Sequence, residues 1–323
     1  MCRADWFAYR DIDRDIGSSV PWTGRCYMQV ALTGVSGFIG SAIARRLAKA
    51  GHSVTGLVRQ SSRRDHIRPY VQRFVVGDQA DDRIWPDLLD GADCVIHNSV
   101  DWRPLRDPPD PQQHAQSNIG ASIGLLQAAA PRQFVFISSV AVHHDIRPRW
   151  RGLIDEDHPL RPANLYGAYK AAVEAHLWAA HFSLSQHTCA LRPCAVYGID
   201  PKLQRSIGHT IIETIRSGKP FHRLGGGKFV HVEDVAAAVV ATVGNPDAAG
   251  KVYNLADCYA RWADWAVMAG ELLGLEVEID TSSSPQPKNT FTKEAARSLG
   301  IQLDRGHDGI REHLRELIKD MTV

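Results

Sequence analysis

From Met28 onward, short apolar runs alternate along the chain with longer segments in which apolar residues recur at helical spacing. Strands that alternate with helices require crossover connections, which build a parallel sheet with helices on both faces. After Pro193 the segments become shorter and richer in glycine, proline and charge, which indicates a smaller mixed lobe. The pattern therefore predicts a doubly wound α/β fold whose strands are QVALTG, SVTGLV, RFVVGD, DCVIHN, QFVFISS and TCALRP.

A glycine-rich turn, TGVSGFIG, follows the first predicted strand and opens the first predicted helix. Its glycines have the spacing G-x-x-G-x-x-G. A turn without side chains lets the backbone approach a pyrophosphate, which then lies at the positive N-terminus of the helix. We therefore predict a dinucleotide site here, formed by Gly34, Ser36, Gly37, Phe38, Ile39 and Gly40.

The loop after the second predicted strand indicates which dinucleotide binds. An NAD site usually has an acidic residue there that holds the ribose 2′-hydroxyl, whereas this chain has Arg59, followed by two serines and by Arg63 and Arg64. Guanidinium and hydroxyl donors match a 2′-phosphate. The sequence thus favours NADP, while NAD is also allowed, and a solvated arginine face is the alternative. Asp78 and Gln79, after the third strand, are placed near the adenine edge.

The segment NLYGAYKAAVEAH carries two tyrosines just ahead of Lys170. Helical residues four apart share one face at about 6 Å, which pairs Tyr166 with Lys170 and directs Tyr169 elsewhere. An ammonium about 6 Å away, in an effective dielectric near 20, favours phenolate by about 3 kcal/mol and would lower the pKa of the phenol from about 10 to about 8. We therefore predict that Tyr166 is an acid/base and that Tyr169 is a packing residue.

The composition of the chain argues against membrane, nucleic-acid-binding and metal-binding proteins. The chain has 323 residues, of which 44% are apolar, and a formal net charge of +1. Its apolar runs fall far short of the ~20 residues that cross a bilayer, and it has no block of like charge. Its six cysteines lack metal-ligand spacing. We expect a cytoplasmic protein with no metal, membrane or nucleic-acid partner, and a weakly ordered extension over residues 1–27 that lacks the features of a secretory signal.

Taken together, the motifs resemble the extended short-chain dehydrogenase/reductase family, also called the NAD-dependent epimerase/dehydratase family, from Met28 to about residue 320. The resemblance implies a Rossmann fold over residues 28–193, completed by segments near 228–256, and a mainly substrate-binding lobe over 194–323. It also allows a homodimer through the helices that carry NIGASIGLLQAAA and YGAYKAAVEAHLW. The motifs that carry it are TGVSGFIG, GD at Gly77 and Asp78, CVIHNSV, FISSVAV, YGAYK, LRPCAVYG, FVHVEDVA and VYNLAD.

The resemblance also implies roles for individual residues. Ser139 is the catalytic hydroxyl, Tyr166 the acid/base, and Lys170 the residue that holds the nicotinamide ribose and lowers the pKa of the tyrosine. Asn118 matches the asparagine on the helix behind the site. Hydride transfer to a carbonyl leaves negative charge on the oxygen, and two hydroxyl groups can stabilise that charge by donating hydrogen bonds. Cofactor contacts are implied at the strand ends for Asn98, Ser99, Val100, Pro193 and Val196.

Other polar residues near these motifs are expected to pack. Ser138 should point to the face of the strand opposite to Ser139. His97, His143 and His144 resemble general acids, but the Tyr166 and Lys170 pair already supplies the proton chemistry. We therefore assign no catalytic role to these four residues.

Departures from the family pattern distinguish among its reactions. Val140 and Ala141 follow Ser139 where sugar-nucleotide dehydratases have an Asp-Glu pair, which disfavours dehydration. Gly227 and Lys288 stand where nucleotide-sugar epimerases usually have arginines that clamp a diphosphate. These differences favour a carbonyl reductase or alcohol dehydrogenase that acts on a small organic carbonyl or alcohol.

Two alternatives remain. A nucleotide-sugar 4-epimerase could use Arg205, Arg216 or Arg223 for the phosphates, and a catalytically silent protein could sense the nucleotide. The substrate wall is expected within Asp101–Pro111, His143–Leu153 and Ile199–Gly226. Its apolar candidates are Trp102, Trp150, Leu203 and Phe221.

Overall fold

The computed structural model describes residues 27–144 and 148–322. Its largest element is a seven-stranded sheet in which every neighbouring pair of strands is parallel. The six strands predicted from the sequence are all present. The strands of the described chain are β1 (Gln29–Thr33), β2 (Ser53–Val58), β3 (Arg73–Val76), β4 (Cys94–His97), β5 (Gln133–Ile137), β6 (Leu153–Ile154), β7 (Thr188–Pro193), β8 (Ala195–Tyr197), β9 (Gly226–His231), β10 (Lys251–Leu255), β11 (Cys258–Arg261) and β12 (Thr290–Phe291).

Helices cover both faces of this sheet, as the alternating pattern requires. One short π-helical turn, Ala115–Gly120, joins the third helix to the fourth. The α-helices of the described chain are α1 (Phe38–Lys49), α2 (Trp85–Leu89), α3 (Pro111–His114), α4 (Ala121–Ala129), α5 (Leu165–Leu184), α6 (His209–Arg216), α7 (Val232–Thr242), α8 (Trp262–Leu273), α9 (Glu294–Ser298) and α10 (Gly306–Asp320).

The strand order of the large sheet, β10-β7-β5-β4-β1-β2-β3, confirms the predicted doubly wound topology. Strands β1 to β3 extend the sheet in one direction and β4 onward in the other, so the order reverses between β1 and β4. Helices α1 and α7 pack together on one face, around Ile43 and Val235. Helices α4 and α5 cover the other face, around Leu125 and Val173. At such a reversal the loops diverge and leave a crevice at the carboxyl ends of the strands.

A smaller mixed sheet lies in the C-terminal part of the chain, as expected. It has the order β11-β9-β8, with β8 and β9 parallel and β9 and β11 antiparallel. Helices α6, α8 and α10 pack against it around the fully buried Trp265. Strands β6 and β12 form a separate parallel pair.

The expected weak order of residues 1–27 concerns a segment that, apart from Tyr27, lies outside the described residues. Across residues 27–144 and 148–322, no helix combines the length and apolarity needed to span a bilayer. The same residues contain no group of three or more His, Cys, Asp or Glu side chains that could hold a metal ion.

A buried ion pair ties α5 to β7. The guanidinium of Arg192 donates to the Glu174 carboxylate at 2.6, 3.0 and 3.1 Å, and both side chains are at most 2% exposed. The Ser138 hydroxyl, just past β5, donates to the same carboxylate. Removing one partner of such a pair leaves a charge in a medium that cannot solvate it. This pair therefore sets how α5 lies on the sheet.

We expect Glu174→Leu to lower the free energy of unfolding by about 3–5 kcal/mol, because it leaves the Arg192 guanidinium buried without a counterion. The matched control is Glu271→Leu, which breaks a surface pair with Arg311 whose side chains are 52% and 37% exposed. That change should cost less than about 1 kcal/mol. Urea unfolding followed by circular dichroism measures both, and equal losses would contradict the assigned role of the buried pair.

Candidate active site

A cleft of about 530 Å³ opens at the carboxyl edge of the sheet, at the reversal between β1 and β4. Residues from the glycine turn, the strand ends and the start of α5 line it. It thus collects most of the predicted site residues, namely Gly34, Ser36–Ile39, Arg59, Gln79, Asn98–Val100, Ser139, Tyr166, Lys170, Pro193 and Val196.

The glycine turn has the backbone that its sequence requires. Gly34 has φ +67°, and a Cβ there would lie 3.0 Å from the backbone of Ser99. Gly40 does not line the cleft, but a methyl group on it would overlap the Gly34 carbonyl. Gly37 is the N-cap of α1, and no described side chain caps that helix. The first turn of α1 therefore offers its N–H groups to an anion.

Two buried polar atoms beside the cleft have no hydrogen-bond partner among the described residues. They are Gln79 Oε1 and Ser99 Oγ. The Gln79 amide nitrogen is already fixed by the Ser117 carbonyl at 2.8 Å, which leaves its oxygen as a free acceptor. Buried polar atoms normally have partners. Together with the side-chain-free turn, these atoms fit a dinucleotide, whose adenine amino group and ribose hydroxyls are donors.

The first two turns of α5 present the predicted tyrosine and lysine. Asn164 caps the helix by accepting from the Gly167 N–H at 2.8 Å. The Lys170 ammonium then lies 5.7 Å from the centre of the Tyr166 ring and donates to the Ile137 carbonyl at 2.6 Å. Tyr169 is fully buried beneath the cleft, with its hydroxyl 3.2 Å from Ser122 Oγ. The helical spacing thus separates the two tyrosines as predicted.

The acid–base properties of the pair differ from the simple expectation. Burial raises the pKa of the Tyr166 phenol, and its hydrogen bond with the Ser139 hydroxyl partly opposes that rise. Burial also lowers the pKa of Lys170 to about 7, against the attraction of Glu174. Placing the ammonium at the expected distance was correct. The Tyr166 pKa shifts in the direction opposite to the expectation, because burial of the phenol outweighs its hydrogen bond with Ser139.

The two serines after β5 have different partners. The Ser139 hydroxyl lies within 3.4 Å of the Pro193 carbonyl and accepts from the Ala141 N–H at 3.1 Å. Its hydrogen bond with Tyr166 brings two hydroxyl groups to one point in the cleft. The Ser138 hydroxyl is instead directed to Glu174. Only Ser139 therefore offers its hydroxyl to a ligand beside the phenol.

Asn118 lies in the π-helical turn, is fully buried and does not line the cleft. Its Oδ1 accepts from the Asp101 N–H at 2.7 Å, and its Nδ2 donates to the Asp101 carbonyl at 2.8 Å. Nδ2 also lies 2.9 Å from His114 Nδ1. Asn118 therefore holds the loop after β4 rather than touching the cleft.

Arg59, at the end of β2, lies in a cluster of opposite charges. Its guanidinium is 3.8 Å from an oxygen of Asp78 and 3.9 Å from one of Asp101, and its side chain is 48% exposed. Arg103 completes the cluster with two bonds of 2.8 and 2.9 Å to Asp101. The Arg59 contacts are long enough for a phosphate to replace them.

The other two predicted arginines do not line the cleft. Arg63 is exposed, and Arg64 lies over the Phe74 ring at 5.8 Å. Ser62 does line the cleft, and its hydroxyl lies 3.1 Å from the Arg59 N–H.

The histidines occupy packing positions or the surface. His97 is buried between Thr33 and Ser122, at 2.8 and 2.7 Å, and burial lowers its pKa to about 3. Burial and the neighbouring Arg192 lower the pKa of His143 to about 3 as well. Both rings are therefore neutral at physiological pH. His144 is exposed and does not line the cleft.

Of the four apolar wall candidates, only Trp102 lines the cleft. Its indole stacks on the ring of Tyr166, with centroids 5.1 Å apart and planes at 23°. Trp150 instead donates to Asp155 at 2.6 Å, while Leu203 and Phe221 pack in the C-terminal core. Trp150, Leu203 and Phe221 were thus misplaced because neighbouring loops in sequence diverge in space.

Several structural residues were missed from the sequence. Asp101 carries no local signal, since its position depends on contacts with Asn118 and Arg59 across loops. Glu174 could have been found, because it follows Lys170 by four residues on one helix face. Arg192 could also have been found as the charged residue in the apolar strand TCALRP.

Comparison with known proteins gives a consistent family. Residues 30–256 match the model of the NAD dependent epimerase/dehydratase family. A 3-diazoavenalumate denitrifying reductase of Streptomyces is 27% identical, with 84% of this chain and 88% of that protein covered. A UDP-glucose 4-epimerase of Mycolicibacterium smegmatis is 29% identical, with 71% and 77% covered. The structure of a UDP-glucuronic acid 4-epimerase from Bacillus cereus, with UDP-glucuronic acid and NAD, superposes with a TM-score of 0.75 at 22% identity, covering 91% and 100%.

We expect Arg59→Asp to weaken NADPH binding by about 2–3 kcal/mol, since it removes a charge-assisted contact and adds a third carboxylate beside Asp78 and Asp101. NADH binding should change less or improve. Arg68→Asp is the control, because Arg68 is exposed in the same loop and gives the same change in net charge. Fluorescence titration with both nucleotides measures the effect, and equal weakening by both substitutions would indicate only a long-range charge effect.

Proposed function

This chain belongs to the NAD-dependent epimerase/dehydratase family, and from that premise we propose that it is an NADP-dependent carbonyl reductase or alcohol dehydrogenase. The observation that carries the proposal is the meeting of the Tyr166 and Ser139 hydroxyls in the same cleft as the glycine turn. Lys170 lies directly behind them. Such a pair of donors matches an oxygen that gains negative charge.

The proposed reaction follows from these groups. The glycine turn and Arg59 would hold NADPH, which when bound would supply the hydride that the carbonyl carbon accepts. Tyr166 gives its phenolic proton to the carbonyl oxygen, and Ser139 donates a second hydrogen bond to that oxygen. Lys170 holds the ribose and favours the phenolate that remains. In the alcohol-oxidising direction the same phenolate accepts the proton.

We propose that Lys170 and Tyr166 titrate as one unit, since the Lys170 Nζ lies 5.7 Å from the centre of the Tyr166 ring. Burial makes the lysine release a proton near pH 7, whereas the phenol alone holds its proton to a higher pH than usual. After the unit has lost one proton, it can exist as a Lys170 amine beside a Tyr166 phenol or as a Lys170 ammonium beside a Tyr166 phenolate. Proton loss from the unit near neutral pH therefore gives access to the base that oxidation requires.

NADP is the proposed cofactor because Arg59 and Ser62 line the cleft at the end of β2. The Arg59 guanidinium can exchange its distant carboxylates for a 2′-phosphate. No acidic residue stands at that position to hold a 2′-hydroxyl. These features support NADP over NAD.

The positions of two arginines outside the cleft favour a reductase over an epimerase. Arg216 donates to the Ile318 carbonyl at 3.4 Å, and Arg223 stacks on Trp262 at 3.6 Å, so neither serves the cleft. Gly227 stands where a phosphate-clamping arginine would be. A diphosphate would therefore lack most of its usual partners.

A nucleotide-sugar 4-epimerase is the second candidate, and one observation favours it. Arg205 lines the cleft and could bind a phosphate. The M. smegmatis relative is named as an epimerase of this type.

Two assays test the proposal. The reductase should oxidise NADPH only when a carbonyl compound is added, with one alcohol formed for each NADPH consumed. An epimerase would interconvert UDP-glucose and UDP-galactose without net oxidation. Binding of NADPH with neither activity would overturn the reductase proposal and support a nucleotide sensor.

We expect Tyr166→Phe to lower turnover by about 10²- to 10⁴-fold, because the ring remains but the transferable proton is lost. Tyr169→Phe should change turnover little, since its hydroxyl is buried against Ser122. Steady-state kinetics and nucleotide titration of both variants separate chemistry from binding. Equal losses of turnover would mean that the helical spacing selects the wrong tyrosine.

Lys170→Met should move the alkaline-going rise of alcohol oxidation to higher pH by about 3 pH units. With Lys170 present, the unit loses a proton near pH 7, whereas without it the base must form by ionisation of Tyr166 alone, whose pKa burial raises above its usual value of about 10. A pH–rate profile of the residual activity measures the shift. If the activity of the variant is lower at every pH but the rise occurs at the same pH, Lys170 only holds the ribose and does not affect the proton transfer.

A further inference from the structure

We propose that Trp102 determines substrate specificity: it forms a flat apolar wall that favours carbonyl compounds whose carbonyl is attached to a planar conjugated or aromatic group. This inference rests on the proposed reductase function and names its substrate class. It begins from the indole of Trp102, which lies against the ring of Tyr166 with centroids 5.1 Å apart.

Trp102 combines two features that a packing tryptophan lacks. It covers the residue proposed to give the proton, and it remains 53% exposed. One face of the indole is occupied by the phenol ring, so much of the remaining aromatic surface is available. Because Trp102 also lines the cleft, that surface lies where a substrate enters.

Hydrogen bonds within the protein hold the backbone on both sides of Trp102. Asn118 holds both the N–H and the carbonyl of Asp101, the preceding residue, at 2.7 and 2.8 Å. The Asp101 carboxylate accepts from the backbone N–H of Arg103, the following residue, at 3.1 Å, and from its guanidinium. The backbone is thus tied on both sides of the tryptophan. A wall ordered in advance costs a ligand little further entropy.

The chemistry of the cleft explains why such a wall selects planar groups. A substrate carbonyl must reach the hydroxyls of Tyr166 and Ser139, which limits where its substituent can lie. The indole beside Tyr166 offers that substituent a flat surface within the cleft. A planar group can stack on an indole, whereas a saturated ring of similar size cannot make the same offset contact.

A pair of aldehydes of similar size tests the inference. Initial rates with NADPH give kcat/KM for benzaldehyde and cyclohexanecarbaldehyde, and their ratio is compared between the unmodified protein and Trp102→Leu. Intrinsic differences in aldehyde reactivity cancel in this comparison. We expect Trp102→Leu to lower the ratio by roughly 3- to 10-fold, and Trp102→Phe to retain most of it. Phe182→Leu, at a 65% exposed site on α5, is the control and should leave the ratio unchanged.

The outcomes separate the two proposals. Reduction of both aldehydes with the same ratio in Trp102→Leu would overturn the role of Trp102 and leave the reductase function intact. If neither aldehyde is reduced, the same comparison is made on the NADP⁺ complex by calorimetry, with benzamide and cyclohexanecarboxamide as unreactive ligands. A preference for benzamide that disappears in Trp102→Leu supports the wall, and its absence in the unmodified protein overturns it.

Discussion

The site depends on keeping a lysine ammonium out of water. Lys170 is 1% exposed, and a charge at such a depth requires compensation. The Ile137 carbonyl accepts from it at 2.6 Å, and the rings of Phe136 and Tyr169 lie 4.4 and 4.6 Å away. Glu174, one turn further along α5, adds negative charge but is itself held by Arg192. These contacts fix α5 against β5 and β7, and the tyrosine at the helix start is placed as a result.

Local patterns in the sequence predicted the scaffold well. Strands buried on both faces must be continuously apolar, so their positions could be predicted without knowing their partners. The glycine turn and the spacing of Tyr166 and Lys170 are also local, because a turn or a single helix defines each geometry. Contacts between loops could not be predicted in this way. Asn118 binds Asp101 across 17 positions of the chain, and no periodicity relates the two residues.

Electrostatic properties were harder to predict than positions. The sequence gives the distance between an ammonium and a phenol, but the direction of a pKa shift also depends on how much water reaches each group. The same limit applies to the arginines after β2. Their number indicated an anion site, yet only Arg59 faces the cleft, since Arg64 packs on Phe74. Charge content therefore predicts the kind of ligand better than it predicts which side chain meets it.

Because of the π-helical turn at Ala115–Gly120, the structure around it depends on the number of residues in this segment. A π-helical turn holds one residue more than the α-helical turn it replaces, so deleting one residue could restore a regular helix. Each residue of an α-helix rotates the chain by about 100°, and such a deletion would turn Asn118 away from the loop that it holds. Insertions and deletions here, rather than substitutions in the cleft, are thus a simple route by which relatives with the same catalytic groups could come to differ in the shape of their substrate sites.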